Sequence, residues 1–267
     1  MSRNDPLKPP EAAAAPDPQR FQGTVAFYER YRLTYPHRLI RRVAELSGLK
    51  PGDAVLDLGC GTGMLAIPFA REGMAVTAMD PEPEMLAATA AAAEAEGAGV
   101  RVTLQQAGSY DLTPDMGPFQ LVIIGRAFHW MDRTATLAML DRIVTPGGGV
   151  ALFHDAHPPV EENGWFKTVC DISARHRLKR VERGGGHRRY EPFLLASAFT
   201  EMDGLSVTIR QSVTVDDIVG RAFSMSASVP DRAALAAELT AALRESSPDG
   251  KFTEVAELVA LLARRPE

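Results

Sequence analysis

Residues 54–63 read AVLDLGCGTG, a short apolar run that carries one acid and ends in three closely spaced glycines. The run at 54–58 predicts a buried strand, and the glycines predict a tight turn into a helix from Met64 to Arg71. Because glycine lacks a Cβ atom, a ligand can lie directly against such a turn. In an open α/β sheet, ligands bind outside the carboxyl ends of the strands, where this turn falls. The stretch therefore predicts a ligand site at a sheet edge.

The rest of the chain repeats this alternation of strand and helix. Further strands are predicted at 75–79, 100–105, 119–124, 149–153 and 205–215, with helices at 83–96 and 133–144. Strands separated by helices call for right-handed crossovers and a parallel sheet. The strands are continuous apolar runs, which fits burial on both faces. The predicted fold class is α/β, with an open, doubly wound sheet. Residues 252–263 suit either a closing strand or a helix.

The overall composition excludes several classes of protein. The chain has 267 residues, 45% of them hydrophobic and 24% charged, which excludes a collagen, a disordered chain and a disulfide scaffold. The net charge of −5 argues against a general nucleic-acid binder. Cys60 and Cys170 are too few for a disulfide framework. Because there is no apolar run of about 18 residues and no signal-peptide pattern, we expect no membrane segment and a cytoplasmic location.

The spacing of the glycines distinguishes between two kinds of ligand. The dinucleotide fingerprint is G-x-G-x-x-G, which places a pyrophosphate on a helix N-terminus. Here the spacing from Gly59 to Gly63 is G-x-G-x-G, and Asp57 stands two residues ahead of the first glycine. An acid at this place suits an amino group and disfavours a pyrophosphate. The alternative is a plain strand-to-helix turn without a ligand.

A second acid follows the second predicted strand. Asp80 lies 21 residues after Gly59, at the place where a carboxylate can accept two hydrogen bonds from a ribose diol. The alternative is that Asp80 is the N-cap of a helix that starts near Pro81. The two roles are compatible.

Together, Asp57 to Gly63 and Asp80 resemble the class I S-adenosylmethionine-dependent methyltransferase family, in its small-molecule branch. The resemblance covers roughly residues 21–155 and is weaker beyond them. It implies a seven-stranded, mostly parallel, Rossmann-like sheet with helical lid and cap insertions, and S-adenosylmethionine as the cofactor with S-adenosylhomocysteine as the product. The cofactor contacts that it implies are Tyr28, Arg32, Asp57, Gly59, Gly61, Asp80, Pro81, Met85, Ser109, Tyr110 and Arg126.

The resemblance also divides the chain into segments. They are a disordered tail at 1–20, a helical lid at 21–50, a cofactor-binding core at 51–155, a substrate cap at 156–204, and the remaining strands with C-terminal helices at 205–267. In the lid, Arg32 could bind the cofactor carboxylate through a bidentate pair. Leu33 departs from the proline that this branch commonly has there. The alternative for this segment is an amphipathic surface helix.

The adenine side of the implied site departs from the family at one place. Met85 stands where the family often packs an apolar side chain over the adenine. The family usually has an acid-containing loop after the third strand, and here Ser109 and Tyr110 take that place. Which residue would contact the adenine amino group is therefore left open.

The acceptor side of the implied site follows the fourth and fifth strands. His129 is the candidate general base, which the reaction needs only if the acceptor arrives protonated. The alternative is that His129 and Trp130 only pack or orient the substrate. His154 is a further substrate-binding candidate, next to Asp155. The spacing from His154 to His157 resembles metal ligands, but no further acid or histidine cluster accompanies it, and we predict no metal.

A basic run extends from Arg175 to Arg189 in the predicted cap. It could recognise an anionic acceptor such as a carboxylate or a phosphate. The alternative is a solvated helix face and loop. Within this run, Gly184 to Gly186 have the composition of a lid or of an ordinary loop.

These observations favour an enzyme that transfers a methyl group from S-adenosylmethionine to an O, N or C atom of a small metabolite by in-line displacement. One alternative is a methyltransferase that acts on RNA or protein, although the acidic balance argues against nucleic acid. The others are a non-catalytic cofactor-binding scaffold and a nicotinamide oxidoreductase, which the glycine spacing disfavours. We expect a small-molecule acceptor as the partner and no membrane association. The acceptor's identity and the oligomeric state, a homodimer included, stay open.

Overall fold

A computed structural model describes residues 25–176, 190–224 and 229–266 of the chain. They form a seven-stranded sheet of order β3-β2-β1-β4-β5-β7-β6, in which β7 runs antiparallel to the other six strands. The strands are β1 Ala54–Leu58, β2 Ala75–Asp80, β3 Val102–Gln106, β4 Phe119–Gly125, β5 Val144–Ala156, β6 Glu201–Thr214 and β7 Lys251–Arg264. The prediction of a doubly wound, mostly parallel α/β sheet is confirmed.

Helices cover both faces of this sheet. They are α1 Val25–Tyr31, α2 His37–Leu46, α3 Ala66–Arg71, α4 Pro83–Ala95, α5 Arg133–Ile143, α6 Gly164–Arg175, α7 Glu191–Leu195, α8 Val215–Ser224 and α9 Arg232–Ser246. Val55 of β1 packs in the core beneath α2, α3 and α4, whereas its neighbour Leu56 packs in the core beneath α5 and α7. Both side chains are fully buried. Burial on both faces explains why the strand sequences are continuous apolar runs.

The last described element settles the ambiguity at residues 252–263. Lys251–Arg264 is a strand, inserted between β5 and β6. Its residues 258–263 are all buried, with side chains on both faces of the sheet. An amphipathic surface helix would leave one side of this run in water, so the continuous apolar run is better accommodated in the sheet.

A separate, smaller core is formed by helices of the predicted cap and of the segment that follows it, and these helices are together called the cap below. Its apolar side chains come from α6, α8 and α9, and include Trp165, Ile172, Ile218, Leu235 and Leu239. The cap core therefore draws on helices from both sides of the expected boundary at residue 205.

Some expectations fall on residues outside the described ranges, namely the tail at 1–20 and the basic run beyond His176. Within the described part of the chain, no helix is long and apolar enough to cross a membrane.

Candidate active site

The glycine turn connects β1 to α3 at the carboxyl edge of the sheet. Gly59 has a φ of +76° and Gly61 a φ of +55°, in the left-handed region that favours glycine. A Cβ atom on Gly59 would come within 2.7 Å of the Cβ of Ala127, so this position excludes a side chain even without a ligand. The backbone N–H groups of Gly59 and Cys60 donate to the carbonyl of Met79 at 2.8 and 3.0 Å, which fixes the turn to β2.

Asp57 lies beneath the turn and is only 1% exposed. Its Oδ2 accepts a hydrogen bond from the backbone N–H of Ala66 at 2.8 Å. This bond satisfies the first backbone N–H of α3, which begins at Ala66 and not at the predicted Met64. The other oxygen, Oδ1, is buried and has no hydrogen-bond partner among the described residues. Burial raises the pKa of Asp57 to about 8, against the effect of the Ala66 hydrogen bond.

Asp80 lies at the end of β2, beside the glycine turn. Its Oδ2 accepts from the N–H of Gly61 at 2.9 Å, and its Oδ1 accepts from the N–H of Glu82 at 3.0 Å. Burial raises the pKa of Asp80, and these two hydrogen bonds oppose the shift. Asp80 thus shapes the turn that leads into α4, but the alternative that it is the N-cap is wrong, because the helix begins at Pro83 with Glu82 as its N-cap. Each oxygen keeps acceptor capacity for a ligand hydroxyl.

A narrow cavity opens above the glycine turn. It is lined by Tyr28, Tyr35, Asp57, Gly59, Cys60, Met64, Leu65, Gly125 and Arg126. The hydroxyl of Tyr35 is buried there without a hydrogen-bond partner among the described residues. Burial raises the pKa of Tyr35 well above its ordinary value, so the phenol stays protonated. The cavity therefore presents a hydroxyl and a carboxyl group whose hydrogen-bonding capacity is unused, a combination that fits a polar ligand.

Two residues of the predicted lid lie close to this cavity. A Cβ atom on Gly61 would be 3.9 Å from Cε1 of Tyr28, so the ring of Tyr28 lies over the turn. The guanidinium of Arg32 lies 5.0 Å from the centre of that ring and donates to the carbonyl of Ser224 at 3.2 Å. Its Nε is buried without a partner in the described residues. Burial lowers the pKa of Arg32, and the charge of Arg126 adds to this effect. The carboxylate of a ligand beside Arg32 would give its Nε a hydrogen-bond partner and would offset the unfavourable burial of its charge.

Arg126, at the end of β4, connects the lid to the sheet. Its φ of +55° lies in the left-handed region. Its guanidinium pairs with Asp155, donates to the carbonyl of Leu33 at 2.7 Å, and lies 4.6 Å from the ring centre of Tyr35. Burial alone would raise the pKa of Asp155, but the charges of Arg126 and Arg32 hold it well below its ordinary value. Arg126 therefore anchors Leu33, and its contact with a cofactor stays a prediction.

The residues predicted for the adenine lie at the ends of β2 and β3. Met85 is buried at 3% exposure, whereas Tyr110 is 53% exposed. A Cβ atom on Gly108 would lie 3.9 Å from Pro81, which places Pro81 beside the turn that carries Ser109 and Tyr110. The acid of this turn, Asp111, accepts a hydrogen bond from the N–H of Gly108 at 2.8 Å. Its carboxylate is thus used to shape the turn.

The acceptor-side candidates lie apart from the cavity. His129 and Trp130 stand on a 3-10 turn after β4, with ring centroids 4.2 Å apart. His154 is buried within β5, at 9% exposure. None of these three lines the cavity. His157 bonds to Glu254 at 2.7 Å. Within the described ranges, no group of three or more histidine, cysteine, aspartate or glutamate side chains could hold a metal ion.

Sequence reasoning missed two residues that shape the site. Tyr35 lines the cavity, and Thr89 donates from α4 to the carbonyl of Gly61 at 2.8 Å. Tyr35 lies within the predicted lid, shortly after Arg32 and directly before Pro36, so its nearness in sequence to Tyr28 and Arg32 was a usable signal. Thr89 lies in an alanine-rich helix, where no local pattern marks it.

Comparison with known proteins agrees with this geometry. A family model described as a methyltransferase domain matches residues 55–148. These residues run from the buried strand beneath the glycine turn to the start of β5, and so include Asp57 and Asp80. The region is a class I S-adenosylmethionine-dependent methyltransferase domain. The methyltransferase domain thus supplies the glycine turn and both of its acids, whereas Tyr28 and Arg32 precede the matched residues.

Curated relatives match the methyltransferase domain and its flanks. An uncharacterised methyltransferase of Mycobacterium tuberculosis is 31% identical over 156 residues, 58% of this chain and 59% of that protein. A ubiquinone biosynthesis O-methyltransferase of Escherichia coli is 30% identical over 150 residues, 53% of this chain and 57% of that protein. The chain thus spans less than two thirds of the length of these relatives.

Solved structures share the fold over most of the chain. A protein of Anaeromyxobacter dehalogenans described as a candidate type II methyltransferase has a TM-score of 0.63 and 22% identity, over 88% of this chain and 98% of that one. A SAM-dependent methyltransferase from Geobacter sulfurreducens, in complex with S-adenosylhomocysteine, has a TM-score of 0.51 and 21% identity, over 91% of this chain and 97% of that one. At these identities the likeness shows the fold.

Proposed function

We propose that this protein binds S-adenosylmethionine and transfers its methyl group to an O, N or C atom of a small metabolite by in-line displacement. The observation that carries the proposal is the buried Asp57, whose Oδ1 has no hydrogen-bond partner among the described residues at the glycine turn. A buried carboxyl group of this kind calls for a donor, and an α-ammonium group supplies both the donor and the opposite charge.

The residues around the cavity fit the rest of the cofactor. Asp57 would hold the α-ammonium group and Arg32 the carboxylate, while Gly59 and Gly61 let the methionine moiety lie against the backbone. Asp80 would accept the two ribose hydroxyls. Pro81, Met85, Ser109 and Tyr110 would enclose the adenine, and Arg126 would complete the wall beside Tyr28. The cofactor, when bound, supplies an electrophilic methyl group on a sulfonium.

The protein's part in the reaction is to orient the methyl donor and the acceptor and to exclude water. Displacement requires donor and acceptor atoms in line, and fixed orientation supplies much of the rate. The lid residues Tyr28 and Tyr35 close the cavity from above. His129 would accept a proton from an acceptor that arrives protonated, and Trp130 and His154 would bind the acceptor. If the acceptor arrives deprotonated, His129 only orients it.

The small-molecule acceptor draws support from relatives whose names place them in the biosynthesis of small molecules. The Escherichia coli relative acts in ubiquinone biosynthesis as an O-methyltransferase. The net charge of −5 also disfavours nucleic acid as the acceptor. A second candidate function is a non-catalytic cofactor-binding scaffold. Such a scaffold would keep the donor site at Asp57 and Asp80 without an acceptor site.

The first experiment is calorimetric titration of the protein with S-adenosylmethionine, S-adenosylhomocysteine and NAD. We expect micromolar binding of the first two and no binding of NAD. Asp80→Ala should weaken S-adenosylhomocysteine by about 100-fold, because two hydrogen bonds to a charged acceptor are lost. Asp203→Ala, a half-buried acid that pairs with Arg264 on the edge strand β6, is the control away from the glycine turn and should bind as the parent does. Folded parent protein that binds neither sulfur compound would refute the proposal.

A second experiment distinguishes the enzyme from the scaffold. Radiolabelled S-adenosylmethionine is incubated with small phenols, amines and carboxylates, with total RNA and with a protein extract. Label transferred to small molecules alone supports the proposed function. Label transferred to RNA or protein alone overturns the small-molecule assignment, and tight binding without any transfer favours the scaffold.

A further inference from the structure

The lid helix α1 packs directly against α8, a helix of the cap. Phe27 of α1 meets Phe223 of α8 edge to face, with ring centroids 5.3 Å apart. Further along, the ring of Tyr31 lies so close to Gly220 that a Cβ atom there would overlap it. Gly220 is therefore required by this contact, because any side chain would push the lid away from the cap.

Arg221, the next residue of α8, joins the lid to the sheet. Its Nε donates to the carbonyl of Tyr31 at 3.0 Å, and its two terminal nitrogens pair with the carboxylate of Glu254 on β7. Glu254 is fully buried and also accepts from Gln211 at 2.8 Å and bonds with His157 at 2.7 Å. A buried ion pair is stable only when the remaining hydrogen-bonding groups of both side chains also have partners. The hydrogen bonds just named supply those partners, and they do so together in one arrangement of the side chains.

The lid segment held by Arg221 carries two residues at the cavity above the glycine turn, where the methyl donor would bind. Tyr28 lines that cavity, and Arg32 lies beside it, one residue beyond Tyr31. Arg32 itself donates to the carbonyl of Ser224, the last residue of α8. The helix α8 thus holds the lid at Tyr31 through its backbone and at Arg32 through its side chain.

The same helix belongs to the core of the cap. Ile218 and Val219 of α8 pack with Leu235 of α9 and Trp165 of α6. The ring of His157, which bonds to Glu254, stacks on Phe166 of α6 with centroids 4.1 Å apart. The polar network around Glu254 therefore contacts the cap as well as the lid.

From these contacts we propose that Arg221 is a positioning residue for donor binding. It holds the lid so that Tyr28 and Arg32 meet the amino-acid end of the cofactor, and it makes that position depend on the packing of the cap. The inference rests on the proposed function, since it concerns the same cavity. It assigns to Arg221 no contact with the cofactor itself.

The test uses two variants in the full-length protein. Arg221→Lys keeps a positive charge beside Glu254 but cannot bind Glu254 and the carbonyl of Tyr31 at once. Gly220→Ala displaces the ring of Tyr31 and leaves the ion pair intact. The matched controls are Arg210→Lys, which alters an exposed pair with Glu162, and Gly164→Ala, where a Cβ atom meets nothing within 4 Å.

Two ligands separate positioning from general damage. S-adenosylhomocysteine has the amino-acid end that the lid would contact, whereas 5′-methylthioadenosine lacks it. We expect both variants to weaken S-adenosylhomocysteine about tenfold, the effect of about one charged hydrogen bond. Binding of methylthioadenosine should stay within about twofold, and both controls should match the parent. Equal weakening of the two ligands, or no weakening of either, would overturn the proposal.

Hydrogen exchange of residues 25–33 without ligand gives an independent readout. We expect faster exchange there in both variants, with β1 to β5 unchanged. Unchanged exchange at 25–33 would also overturn the proposal. If the parent protein does not bind S-adenosylhomocysteine, the proposed function fails, and the exchange data still decide whether Arg221 positions the lid.

Discussion

The hydroxyl of Thr89 donates a 2.8 Å hydrogen bond to the carbonyl of Gly61, so α4 supports the middle of the glycine turn. On its other side, the N–H of Gly61 donates to Asp80. The peptide groups of Gly61 are thus fixed by a side chain at each end. Thr89 is fully buried, so solvent cannot replace its hydroxyl.

Replacing Thr89 by valine tests this support with little change in volume. Thr89→Val leaves the half-buried carbonyl of Gly61 with only the weak donor Cys60 Sγ at 3.7 Å, which should lower the free energy of unfolding by about 1–3 kcal/mol. We also expect a severalfold loss of affinity for S-adenosylhomocysteine, measured by calorimetry beside urea denaturation. Thr136→Val, a buried threonine on α5, is the control and should leave the affinity unchanged. Equal affinity in parent and Thr89→Val would contradict this role of Thr89.

Thr89 also illustrates what the sequence alone could predict. The fold was predictable because burial on both faces favours apolar residues at nearly every position of the central strands, and Val55 and Leu56 are such a pair. Asp57 and Asp80 were predictable because each stands at the end of a strand, where ligands bind. The sequence next to Thr89 is dominated by alanine, and its partner lies 28 residues away in sequence.

The contact between lid and cap was unpredictable for a related reason. Arg221 and Tyr31 are 190 residues apart, and the close packing of Gly220 on the Tyr31 ring depends on how three helices dock. In the sequence, Gly220 is an isolated glycine within a helical pattern, which local reasoning reads only as a weak point of the helix.

Proton release on cofactor binding is expected from Asp57. In the free protein its pKa is about 8, so the group is mostly protonated at pH 7. Pairing with an ammonium group requires the carboxylate, and about one proton should leave for each S-adenosylhomocysteine bound at pH 7. Calorimetry at pH 7 in phosphate and in Tris measures this number, because the two buffers differ in ionisation enthalpy.

The same titration predicts how affinity depends on pH. The affinity for S-adenosylhomocysteine should rise as pH increases from 6 to about 8, because less of Asp57 is protonated before binding. Above about pH 8 it should level off, because the proton of Asp57 no longer has to be removed. Asp57→Asn should bind weakly and release no proton. If the parent releases no proton at pH 7, Asp57 is not the partner of the ammonium group.

Without ligand, the titration of Asp57 should make the protein less stable as pH rises, whereas the affinity for S-adenosylhomocysteine increases. The pKa of this group is higher in the folded than in the unfolded chain, so its protonated form favours folding at low pH. That contribution is lost as pH rises towards about 8. Asp57→Asn has no such loss, and its Tm should exceed that of the parent by a margin that grows from pH 5 to pH 8.

Differential scanning calorimetry without ligand measures this margin, with about 2–4 °C expected for each kcal/mol in a chain of this size. Asp53→Asn, just before β1 and partly exposed, is the control. A margin independent of pH would show that Asp57 titrates normally in the folded protein.

Asp155 should show the reverse dependence on pH. Burial opposes its ionisation, but the charges of Arg126 and Arg32 hold its folded pKa well below the ordinary value. It therefore stabilises the fold above the unfolded pKa of about 4, and this contribution is lost as pH falls below it. Asp155→Asn leaves the buried Arg126 without its counter-ion and should cost on the order of 3 kcal/mol at pH 7.

The difference in Tm between parent and Asp155→Asn should shrink as pH falls from 5 to 3, because the unfolded parent then binds a proton at Asp155 that the folded parent does not bind. Asp141→Asn breaks a more exposed pair with Arg265 and should change stability by at most about 1 kcal/mol. Since Arg126 also holds the carbonyl of Leu33, Asp155→Asn should in addition speed hydrogen exchange at residues 33–35. A constant difference in Tm from pH 7 to pH 3, with unchanged exchange, would show that Asp155 does not hold Arg126 against the lid.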